Sequence, residues 1–78
     1  MTQIAEDLMQ RSNVPSTNIA SVGYDDKTET LEVEFLNGTI YQYYGVPKNL
    51  YEQLMKESSK GRFLNTYVKN AFAYSRVG

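Results

Sequence analysis

The spacing of apolar residues changes period along this chain, and each change marks an element. Ile4, Ala5, Leu8 and Met9 fall on one face at helical spacing, which predicts a short amphipathic helix over residues 3–11. Thr2 stands in the N-cap place, and Glu6 and Asp7 lie near the positive end of the helix dipole. A helix this short is marginal alone, so its apolar stripe needs a partner. Residues 3–11 are therefore the expected seam of a homo-oligomer. A polar connector with Pro15 runs from Ser12 to Asn18.

The period then turns to two. Ile19–Tyr24 reads as a strand, Asp25–Thr28 as a turn, and Leu31-Glu32-Val33-Glu34-Phe35 as a half-buried strand by strict alternation. Asn37-Gly38 is a hairpin signal, because a type I′ turn needs two positive φ angles. Thr39–Tyr44, rich in β-branched and aromatic residues, completes a meander. After Pro47, which suits a first helical turn, Leu50, Tyr51, Leu54 and Met55 return to helical spacing through about Glu57. A second helix is expected from Lys60 to Phe72, and Ala73–Gly78 reads as a tail. The fold class is α+β: an antiparallel three-stranded β-meander followed by two α-helices, with a short extra N-terminal helix. Residues 1–18 form the N-terminal helix and linker, and residues 19–78 the domain. The expected core is Val22, Leu31, Val33, Phe35, Ile40, Leu50, Leu54, Phe63, Leu64, Tyr67 and Val68.

Composition narrows the chemistry. The 78 residues make one domain, and they include no cysteine and no histidine. Disulfides, thiolate metal sites and the commonest general base are excluded together, and no cofactor is implied. Oligomerisation is the remaining way to enlarge a small core. Net charge is −1, yet residues 1–45 carry two cations against seven carboxylates and residues 46–78 carry six against two. That asymmetry is a weak pointer to an anionic partner for the second half, against the plainer reading of two solvated faces. No apolar run reaches membrane-spanning length, so no membrane partner is expected. The acidic N-terminus is unlike a signal peptide, which makes a cytoplasmic location the simplest expectation.

The densest aromatic cluster is Tyr41-Gln42-Tyr43-Tyr44. With a two-residue loop at Asn37-Gly38, Tyr41 and Tyr43 pair with Glu34 and Glu32, forming an open platform of the kind that stacks bases. A loop one residue longer sends both tyrosines into the core, where they pack against a helix. Ser58-Ser59-Lys60-Gly61-Arg62 stands at a helix start, where free N–H groups with Lys60 and Arg62 could hold an anion. The plainer reading is that Ser59 caps the helix and Gly61 relieves a tight corner. Asn65, Tyr67, Lys69 and Asn70 lie on that helix, where Lys69 could share a polar, basic stripe with Asn65 and Arg62. Asp25 and Asp26 lack calcium-loop spacing and read as turn formers. Glu32 and Glu34 lack the cleft that a glycosidase pair needs.

Several short segments, in order, resemble the KTSC domain. They are Ser21-Val22-Gly23-Tyr24-Asp25, Leu31–Phe35, Gly38–Pro47 with the Tyr-x-Tyr of Tyr41 and Tyr43, Ser59–Asn65, and Tyr74-Ser75-Arg76-Val77. That family is named for its occurrence at the C-terminus of some lysyl-tRNA synthetases, and it also occurs as free-standing bacterial and phage proteins. The resemblance suggests RNA as a partner by association with a synthetase. The expected function is a non-catalytic binding module for RNA or a nucleotide-like anion. Tyr41 and Tyr43 would stack bases, Asn65 would meet a base edge or sugar, and Lys60, Arg62, Lys69 and Arg76 would meet phosphates. The alternative is a protein-interaction or oligomer-forming module, for example a small phage protein that sequesters a host factor or signal. An enzyme is not expected, because nothing places two of the remaining acid–base groups in one cleft.

Overall fold

The computed structural model describes residues 9–78. Seven elements follow in order: β1 (Arg11–Asn13), β2 (Ile19–Asp25), β3 (Thr30–Phe35), β4 (Ile40–Tyr44), α1 (Lys48–Lys56), α2 (Lys60–Tyr67) and β5 (Tyr74–Arg76). The five strands form one antiparallel sheet in the order β1-β2-β3-β4-β5. This corrects the expected three-stranded meander with an N-terminal helix. Arg11–Asn13, placed by the periodicity at the helix end and connector, is an edge strand on β2. Tyr74–Arg76, read as a tail, is the opposite edge strand on β4. Most of the predicted helix 3–11, and the oligomer seam assigned to it, lies outside the described residues.

The β3–β4 hairpin settles the register. The Gly38 amide donates to the Phe35 carbonyl at 2.9 Å, and the Phe35 amide donates to the Thr39 carbonyl at 2.9 Å. Gly38 carries φ +93°, whereas Asn37 is not among the residues with positive φ. The loop is thus three residues long, a turn followed by a left-handed glycine, and not a type I′ turn. Asn37 helps close it by accepting from the Thr39 amide at 3.1 Å and the Thr39 hydroxyl at 2.8 Å. The extra residue moves every β4 side chain to the other face. Tyr41 now pairs with Val33 and Tyr43 with Leu31, so both leave the glutamate face. Ile40 pairs with Glu34 and leaves the core face.

One sheet face is apolar and covered by the helices. Its core holds Ile19, Val22, Leu31, Val33, Tyr43 and Val46, with Leu54 from α1, and Phe63, Leu64 and Val68 from α2 and its end. Ile19 reaches this face through a β-bulge between Ile19 and Ser21; regular alternation would place it beside Ser21 on the other face. Tyr67, expected inside, is 56% exposed. The second helix ends at Tyr67, short of the expected Phe72, and the Lys69 amide donates to the Leu64 carbonyl as the chain turns towards β5.

The other face carries a polar network. Arg11 on β1 reaches across β2 to Glu32 on β3 at 2.6 Å, and Gln42 on β4 donates to the same carboxylate at 2.8 Å. Ser21 donates to Glu34 at 2.8 Å. The reach depends on Gly23: an added Cβ there would lie 2.8 Å from the Arg11 side chain and 2.6 Å from the Gln10 carbonyl oxygen. Glu32 is buried, so its charge needs these partners.

Candidate functional site

Antiparallel pairing of β5 with β4 extends the helix-side face past the helices. Arg76 lies opposite Tyr41 and Tyr74 opposite Tyr43, and cross-strand partners share a face. The ring centroids of Tyr41, Tyr43 and Tyr74 lie 5.8–6.4 Å apart, and Phe35 meets Tyr41 edge-on at 5.9 Å. These spacings are those of interacting aromatic pairs. Facing them, α2 and the turn after it present Leu64, Asn65, Lys69 and Asn70. The cleft between holds about 380 Å³, with Asn18, Asn37 and Thr39 also on its lining.

Tyr41, Tyr43, Asn65 and Lys69 therefore meet in one cleft. Their exposure differs. Tyr43 is 3% exposed and belongs to the wall, Tyr41 is half-buried, and Tyr74 at the mouth is 58% exposed. Burial is the main cause that raises the Tyr43 phenol above its ordinary 10.0, with the neighbouring phenols Tyr41 and Tyr74 adding to it. A buried phenol with a raised pKa favours the neutral form in the folded state. Its stabilising effect is complete below pH 10 and is lost as pH rises through the folded-state value. We expect the unfolding free energy to fall above about pH 10, and Tyr43→Phe to flatten that fall. A pH series of denaturant melts checks this, and an unchanged slope in the variant would remove Tyr43 as its source.

The other predicted residues lie outside this cleft. Lys60 is buried at 8% exposure, and its ammonium donates to the Glu57 carbonyl at 2.8 Å, closing the end of α1. Arg62 is exposed and lines a neighbouring depression with Ser58 and Ser59. Ser59 holds the N-cap position of α2 without a side-chain capping bond. The Gly61 corner is tight because the Asn18 amide lies against it, where a Cβ would collide. The Arg76 Nε donates to the Gly78 carbonyl at 2.9 Å.

Lys69 is the charged residue on the lining of the aromatic cleft. No carboxylate lines it. Among the described residues the ion pairs are Arg11 with Glu32 and Glu34, and Lys48 with Asp26; Arg62, Lys69 and Arg76 form none. Carboxylates Glu32 and Glu34 are held on the opposite sheet face. Among the described residues, no group of His, Cys, Asp and Glu is placed to hold a metal ion, and no helix is long and apolar enough to cross a membrane. Tyr74 and Asn18 are cleft residues that the sequence did not single out. The three residues of β5 are too few to show a period, so no sequence pattern marks Tyr74 as a strand residue.

A sheet of this order, crossed on one face by a helix pair inserted before its last strand, is shared with a solved KTSC domain protein from Yersinia pestis. The two superpose with a TM-score of 0.85 at 40% identity, over 91% of this chain and 100% of that one. Residues 15–72 match the KTSC domain, and the chain belongs to that family. A protein of Stutzerimonas stutzeri is 38% identical over 70 residues, which is 88% of this chain and 99% of the relative. A lysine–tRNA ligase of Nostoc punctiforme is 36% identical over 59 residues, or 76% of this chain, and the match spans only 10% of the ligase.

Proposed function

We propose that this KTSC domain is a non-catalytic binding module whose cleft seats a nucleobase of an anionic ligand, RNA or nucleotide. The observation that carries the reading is the pairing of an accessible aromatic wall with amides and a cation in a cleft lined by no carboxylate. Tyr74, backed by Tyr41, offers a π-surface for a base. Asn65 and Asn70 offer both donors and acceptors for a base edge or sugar. Lys69, without an ion pair among the described residues, meets a phosphate. The lysine–tRNA ligase relative is named for a tRNA substrate, which agrees with an RNA ligand here.

An amide-shift titration of the labelled protein with short single-stranded RNA, and separately with nucleotides, tests the reading at two salt concentrations. Expected are salt-sensitive shifts at Tyr41, Tyr74, Asn65 and Lys69, with log affinity falling by about 0.7 per contacted phosphate for each decade of salt. Lys69→Ala should reduce that slope by about the same amount. Shifts absent at both salts would reject the base seat and favour a protein partner.

A further inference from the structure

A second depression abuts the aromatic cleft. It holds about 510 Å³ between the connector before β2 and the start of α2, and its walls carry Ser16, Thr17, Ser58, Ser59 and Arg62. Asn18, Gly61 and Asn65 line both hollows and form the boundary between them. Gly61 lets the Asn18 amide pack closely at that boundary, since any side chain there would run into it. The two hollows differ in chemistry. The first is aromatic and amide-lined; the second has no aromatic residue and no carboxylate, but hydroxyls and an exposed guanidinium. Arg62 has no ion-pair partner among the described residues.

That succession, a stacking surface and then hydroxyl and guanidinium donors across the shared Asn18, Gly61 and Asn65, matches the succession of base and phosphodiester along a nucleic acid strand. A free mononucleotide would engage one hollow, whereas a strand that continues past its first nucleotide would bring its next phosphate towards the second. We infer that the ligand is a single-stranded oligonucleotide of at least two nucleotides, held base-first in the aromatic cleft and by its backbone at Arg62, an inference that rests on the base-seat reading above. Arg62 suits this role better than a lysine because its planar fork meets two phosphate oxygens at once.

Calorimetric titration of the full chain with one-, two- and four-nucleotide RNAs of each base is the test. Affinity should rise at least about tenfold from one to four nucleotides with the preferred base, as an added phosphate contact and stack contribute. Arg62→Ala should weaken the four-nucleotide RNA more than the mononucleotide, flattening the length dependence and lowering its salt slope by about 0.7. Equal affinity for one and four nucleotides would overturn the inference while leaving the base seat standing. A length dependence untouched by Arg62→Ala would remove the second hollow from the binding path. Binding of no RNA of any length would overturn both readings.

Discussion

Leu54→Ala should lower the unfolding free energy by about 2–5 kcal/mol, the usual range for emptying a buried leucine site. Leu54 is 0% exposed and is the fully buried side chain of α1, facing the core built on β2, β3 and β4. A domain of this length has a total stability on the order of 5–10 kcal/mol, so the loss is a large fraction of the whole. The melting temperature should fall by at least about 10 °C, with the denaturant slope unchanged because the exposed surface hardly changes. Thermal and urea melts followed by circular dichroism check both. A shift of only a degree or two would mean that α1 is not needed to close the core. Tyr51→Ala is a useful companion: that ring stacks on Tyr24 at 4.8 Å and 9°, yet remains half-buried, so its cost should be smaller.

Tyr74→Ala should weaken binding of single-stranded RNA roughly tenfold to a hundredfold, corresponding to the loss of about one base stack. Stability should change little, because the Tyr74 ring is mostly exposed and the strand is held by backbone bonds. Tyr74→Phe keeps the π-face and should restore most of the affinity, separating stacking from hydroxyl hydrogen bonding. An alanine variant that binds as well as the parent would remove the aromatic wall from the site. A variant that loses affinity and stability together would instead point to an unseated β5.

Local pattern was legible where burial enforces it. Alternation from Leu31 to Phe35 and helical spacing at Leu50 and Leu54 became β3 and α1, because each packs one regular apolar face into the core. Three kinds of feature were hidden. Edge strands of three residues, such as Arg11–Asn13 and Tyr74–Arg76, are too short to show a period, and backbone pairing with a neighbour holds them. Register depended on one loop residue: Asn37-Gly38 supports either a two- or a three-residue hairpin, and the burial of Tyr43 beside Leu31 goes with the longer loop. The bulge at Ile19 likewise reorients a side chain without any signal in composition.

The candidate site was legible in part for the same reasons. Tyr41, Asn65 and Lys69 stand out by residue type, and their meeting needs only that α2 cover β4. Lys60 looked like a phosphate ligand because its neighbours are Ser, Gly and Arg. Its side chain instead folds back to Glu57, a contact set by the corner between α1 and α2. Tyr74 required knowing that the chain comes back to the sheet.

That return has a consequence for how the cleft comes into being. Strands β1 to β4 join neighbours in sequence, and such contacts close small loops early in folding. The β4–β5 pairing joins strands separated in the chain by both helices. Its loop is the longest in the sheet and its strand is three exposed residues. The mouth of the cleft is thus expected to close late in folding and to reopen by local unfolding that leaves the core intact. A ligand touching Tyr74 would act as a clasp on this edge strand, with part of its binding energy spent on keeping the sheet five strands wide.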